Sequence, residues 1–188
     1  MSAQHALTEQ LQTAENLDTL RGLIPDTAKD IRLNLSSVLK PDPQSGLNEN
    51  QVWGTALASA YATCHPAVIQ AIKAEAEDVL TAEEMAAAES AASIMAMNNI
   101  YYRFVHITSF KDFQTMPAGL RMNVVGNPGI EKRDFELYAL AVSVLNGCGM
   151  CIDAHIKQVT DDGISQAGVQ HAARIAAVLN AAAQALII

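Results

Sequence analysis

Residues 132–155 read KRDFELYALAVSVLNGCGMCIDAH, and the fold turns on this stretch. Phe135 to Leu145 is an unbroken run without glycine or proline, at home in a helix. Asn146-Gly147 ends it, because both residues tolerate the left-handed backbone that closes a helix. A second helix starts around Cys148 and runs to Thr160. Two helices joined by so short a break lie antiparallel. Cys148 and Cys151 then fall one turn apart on one face, close enough for a disulfide that opens and closes. They sit at a helix N-terminus, whose positive end favours thiolate over thiol. His155, four residues after Cys151, shares that face and is in reach to take its proton. Measured along the helix axes, His155 stands roughly 12 Å beyond the break and Glu136 roughly 15 Å before it. At matching heights the Glu136 carboxylate can orient the imidazole, completing a nucleophile–base–orienter set.

Working outward, the same kind of signal repeats. Leu7, Leu11, Leu17 and Leu20 recur near helical spacing over residues 7–22, and Asp26 caps a second helix through Ile31, Leu35 and Leu39. Pro41-Asp42-Pro43-Gln44-Ser45-Gly46 is a loop by composition. Glu49 to Thr63 forms a helix that ends near Cys64-His65-Pro66, and Pro66 opens another, to Glu77. Thr81 and Glu84 make a capping box for a long alanine-rich helix to about Phe104. Thr108 to Asn127 is irregular and gives no functional reading, and Asn127-Pro128-Gly129 is a turn. After Asp161-Asp162-Gly163 a last helix runs through His171, Ile175 and Leu179. The expected fold class is all-α, with residues 1–188 as one domain. Residues 49–98 and 132–186 follow the same order of elements, with Cys64 facing Cys148, which points to a duplicated helical unit.

Bulk properties exclude several classes of function. A net charge of −8 argues against nucleic acid or an anionic membrane as partner. No apolar stretch approaches the roughly 20 residues that span a bilayer, and the first residues lack the pattern of a signal peptide. A cytoplasmic protein is expected. Three cysteines are too few, and odd in number, for a secreted disulfide scaffold. In a reducing compartment C-x-x-C means redox chemistry or metal. Cys148, Cys151, His155 and Glu136 could just supply the four ligands of a closed zinc site, so a zinc-stabilised binding protein stays open. Cys64 is expected to be a buried small hydrophobe, His106 and His171 structural, and Met85, Met95 and Met97 helix filler.

The pattern E-x11-C-x-x-C-x3-H, formed by Glu136, Cys148, Cys151 and His155, resembles the alkyl hydroperoxide reductase D family, within the wider carboxymuconolactone decarboxylase-like group. The likeness extends through Asp30 to Ser37, Trp53-Gly54-Thr55, Met97 to Arg103, Leu120 to Asn123 and Asn127-Pro128-Gly129. It implies an all-α homotrimer acting in antioxidant defence. In such a system the dithiol reduces a partner peroxiredoxin and, weakly, alkyl hydroperoxides. Dihydrolipoamide on a lipoylated 2-oxoacid dehydrogenase component recharges it, and no cofactor or metal is tightly bound. Carried over by position, Cys151 is the thiol activated through His155 and Glu136, and Cys148 its disulfide partner. Where some members have a histidine between the cysteines, this chain has Met150. The wider group also contains lactone decarboxylases, a reading against which the paired cysteines stand.

Overall fold

The computed structural model of the chain describes residues 14–188. Among them there are nine α-helices and no strand. In chain order they are α1 (Leu17–Leu23), α2 (Lys29–Val38), α3 (Glu49–Thr63), α4 (Pro66–Ala76), α5 (Ala82–Ile107), α6 (Asn123–Gly126), α7 (Lys132–Asn146), α8 (Gly149–Asp161) and α9 (Gln166–Ala185). The all-α reading holds, and no helix among the described residues is long and apolar enough to cross a membrane.

Local chemistry accounts for most boundaries. Both capping-box arms are made at α5, where the Thr81 side chain accepts from the Glu84 backbone and the Glu84 side chain from that of Thr81. Asn48 and Gln51 build the same device at α3. Two expectations shift. Asp26–Ala28 is a 3-10 turn, so α2 begins only at Lys29. Leu17 and Leu20 fall in α1, which Asn16 caps through the Thr19 backbone, whereas Leu7 and Leu11 lie outside the described residues.

Helices α3 and α7 are the centre of the molecule. Every residue from Gln51 to Ala60 is buried, and so is every residue from Phe135 to Ser143. A helix enclosed on all sides needs neighbours on all sides. α3 packs against α4, α5, α7 and α9, and α7 against α3, α5, α8 and α9. One hydrophobic cluster runs through both halves of the chain. Some polar side chains of the two central helices find partners, Gln51 Nε2 donating to Asp134 Oδ1 at 2.7 Å and Ser59 Oγ to the Thr55 carbonyl at 2.8 Å.

The central helices approach so closely that only hydrogen fits at Gly54. A Cβ there would stand 2.1 Å from the Tyr138 ring. Tyr138 is itself wholly buried, and its hydroxyl has no partner among the described residues.

The two helical hairpins share a register. α3 and α7 begin 83 residues apart, at Glu49 and Lys132, as do α4 and α8, at Pro66 and Gly149. Each first helix ends on a left-handed residue, Cys64 at φ 56° and Gly147 at φ 69°. By helix starts Cys64 therefore faces Gly147, and His65 faces Cys148, one residue away from the alignment by composition. Cys64 is exposed rather than buried, because a left-handed cap turns its side chain outward. In the register of α7 and α8, the places of Glu136, Cys151 and His155 are taken in α3 and α4 by Trp53, Val68 and Ile72, all buried and apolar.

Two outcomes follow from this packing. Gly54→Ala should cost at least about 2 kcal/mol in urea unfolding, and a smaller residue at position 138 should recover part of it. His65 is buried with Nδ1 unpartnered, and burial, partly opposed by a backbone hydrogen bond, lowers its pKa below 6.5. The folded state thus takes up that proton later than the unfolded chain. Its contribution to stability is complete above pH 6.5 and is lost as pH falls below it. In thermal unfolding followed from pH 7.5 to 5, His65→Gln should flatten that acid-side fall.

Candidate active site

The turn between α7 and α8 is built by its ends. Gly147 takes the left-handed conformation, its backbone N–H closes α7, and Cys148 then serves as the cap of α8. The Cys148 Sγ accepts a hydrogen bond from the Cys151 backbone N–H at 3.3 Å. Cys148 and Cys151 are joined as a disulfide, with Cα atoms 5.3 Å apart. A polar chain along α5 pins this turn. Asn99 Nδ2 donates to Ser143 Oγ at 2.9 Å, Asn146 Nδ2 donates to Asn99 Oδ1 at 3.0 Å, and Arg103 donates to the Asn146 carbonyl at 2.7 Å. The last bond satisfies a carbonyl that the end of α7 leaves without a helical partner.

The contact between Glu136 and His155 is direct: Glu136 Oε2 lies 2.6 Å from His155 Nδ1, and both residues are buried. A carboxylate accepts only, so Nδ1 carries the proton and Nε2 faces inward to the site. Nε2 lies 3.4 Å from the Met95 sulfur. The disulfide sulfur of Cys151 has no proton to give, and the imidazole makes no bond to it in this state.

Cys148 is fully enclosed, while Cys151 is 6% exposed and reaches the wall of a cavity of about 230 Å³. His155 and Met95 share that wall, which Asn98, Tyr102 and Met150 continue. Val125 of α6 and Met122 just before it complete the lining, so the irregular segment contributes part of the site. Met95 is thus no mere filler. Met95, Asn98 and Tyr102 are spaced by three and four residues along α5, a single helical face. That periodicity is the signal the sequence offered for them, hidden among alanines.

The other candidates sit apart. His171 Nε2 donates to the Val38 carbonyl at 3.0 Å, tying α9 to α2. His106 is exposed in the last turn of α5. Cys64 lines a separate hollow with Tyr61 and Glu89, where burial and the Glu89 carboxylate raise the Tyr61 pKa. Among the described residues no group of three or more His, Cys, Asp or Glu side chains is arranged to hold a metal ion.

An all-α bundle with this site falls in a recognisable class. The carboxymuconolactone decarboxylase family is matched over residues 111–187, from the 3-10 turn after α5 to the end of α9. Alkyl hydroperoxide reductase AhpD of Coxiella burnetii strain RSA 493 is 53% identical over 172 residues, covering 92% of this chain and 97% of that one. The AhpD proteins of Maricaulis maris (49% identical, 91% of this chain, 97% of that one) and Rhodospirillum centenum (52%, 91% and 90%) are similar over nearly the same span. The chain belongs to the alkyl hydroperoxide reductase AhpD family.

Asn99→Ala would strand two partners in the α5–α7 network, the buried Ser143 and the half-buried Asn146. It should lower stability by about 1–3 kcal/mol, read as a fall in the urea midpoint at unchanged slope.

Proposed function

We propose that this protein is a thiol–disulfide oxidoreductase of antioxidant defence, with Cys148 and Cys151 as its redox pair. The observation that carries the reading is the disulfide whose one accessible sulfur, Cys151, shares a cavity with an imidazole held by a buried carboxylate. The names of its relatives supply the substrate class, alkyl hydroperoxides.

In the reduced protein His155 Nε2 takes the Cys151 proton, and Glu136 offsets the resulting imidazolium charge through Nδ1. The Cys151 thiolate attacks the terminal oxygen of a hydroperoxide. An S–O bond forms, the O–O bond breaks, and the alkoxide leaves as the alcohol with the imidazolium proton. Sulfur is oxidised by two electrons and the peroxide is reduced by two. Cys148 attacks the sulfenic sulfur, and hydroxide leaves as water once protonated. The same dithiol reduces a partner peroxiredoxin disulfide by exchange. Dihydrolipoamide on a lipoylated 2-oxoacid dehydrogenase component reopens the Cys148–Cys151 bond.

The paired cysteines favour this over lactone decarboxylation, which has no need of a dithiol. Met150 stands where some relatives have a second histidine, so proton transfer rests on His155. We assign the working form as a cytoplasmic homotrimer. The apolar surface at the end of α5, where Phe104, Ile107, Phe110 and Met116 are exposed on one chain, supports self-association.

Titrating thiols before and after cumene hydroperoxide tests the reading. Two thiols per chain should disappear and return with dihydrolipoamide, and Cys151→Ser should lower the peroxide reaction by at least about 100-fold. A Cys151→Ser protein as active as the wild type would exclude the assignment.

A further inference from the structure

Asn98 and Asn99 are neighbours on α5 with opposite fates. The amide of Asn99 is fully enclosed and bonded on both sides, to Ser143 and Asn146. Asn98 is only 5% exposed, yet its Oδ1 has no hydrogen-bond partner among the described residues. A buried amide acceptor without a partner is rare in folded proteins and calls for a missing group. The space beside it is the cavity that Cys151 and His155 line. The rest of that lining is Met95, Tyr102, Met122, Val125, Met150 and Ala154, dominated by thioether and hydrocarbon surface. Asn98 is the one carboxamide there.

We propose that Asn98 is the polar anchor for the hydroperoxide group, an inference that rests on the function proposed above. The carboxamide is neutral at every working pH, so it can sit beside the Cys151 thiolate without competing for the His155 proton. A turn of the carboxamide about its last side-chain bond brings its oxygen to the cavity, where it accepts the O–H of the substrate's terminal oxygen, the atom that the Cys151 sulfur attacks. That bond fixes the peroxide end of the molecule at the sulfur, while the methionine and valine side chains hold the organic group. The electron count of the reaction is unchanged, because Asn98 neither gives nor takes a proton. Its role is to select an organic hydroperoxide and orient its O–O bond. Exchange with a dithiol has no O–H to present and does not need it.

The two half-reactions therefore separate under mutation. Asn98→Leu should slow oxidation of the reduced protein by cumene hydroperoxide about 10-fold to 100-fold, the loss of one oriented hydrogen bond. The concentration of peroxide needed for half-saturation should rise with it. Reduction of the Cys148–Cys151 disulfide by dihydrolipoamide should stay within about twofold of wild type on the same scale. Asn98→Ala, which only enlarges an existing cavity, gives the same reading if the leucine does not fit. Its urea midpoint should stay near that of the wild type, because no protein partner is lost. Unchanged peroxide kinetics in either variant would overturn the proposal, and so would an equal fall in both half-reactions, the mark of a structural role. A wild-type dithiol that is inert to peroxide but cycles with dihydrolipoamide would overturn it too. That result is seen in the unmutated protein and strikes the peroxidase reading itself.

Discussion

Glu136 is a carboxylate on a helix whose whole middle is sealed from water, and its 2.6 Å contact to His155 makes that burial tenable. An isolated charge in such a place would cost several kcal/mol, and removing one partner of a buried pair costs about 3–5 kcal/mol. The pair can form only if α8 lies antiparallel to α7 with the right offset. The offset is set by the left-handed residue Gly147, which reverses the chain within the space of the cap. Fold and chemistry thus depend on one contact. The same bond that joins the two helices leaves the far imidazole nitrogen pointing into the cavity.

That dependence explains how much could be read from the residues alone. Asn146-Gly147, the capping box at Thr81, and Pro66 at the start of α4 are local signals, and the backbone obeys them. That Glu136 and His155 stand at matching heights was also legible, since helical rise and a short turn fix them, whereas the directness of their contact was not. The cavity was not. It is made where α5, α6, the residue before α6 and the first turns of α8 meet, and no spacing along one segment shows such a meeting. Asn98 and Tyr102 belong to it, yet in the sequence they differ little from Asn99 and Tyr101 beside them. Cys64 departs from its expected burial for a related reason. Burial of a cysteine is an average tendency, whereas its exposure here comes from a left-handed cap that only the closing geometry of α3 requires.

The two hairpins give an internal control on what makes the site. They share length of turn, left-handed cap and register, and both first helices are buried. Where the second places Glu136, Cys151 and His155, the first places Trp53, Val68 and Ile72. The geometry alone therefore confers no chemistry. The first hairpin gives its corresponding positions to the hydrophobic core, and Gly54 under the Tyr138 ring shows how closely α3 and α7 approach. One hairpin thus carries apolar side chains where the other carries ionisable and sulfur-bearing ones.

Burial of the sulfurs has a consequence for what can reach them. Cys148 is closed off entirely, and Cys151 is 6% exposed at the wall of a largely apolar cavity. Whatever reacts with the Cys151 sulfur has therefore to enter this cavity, among the side chains of α5, α6 and α8. Access to that sulfur is a matter of fit before it is a matter of reactivity.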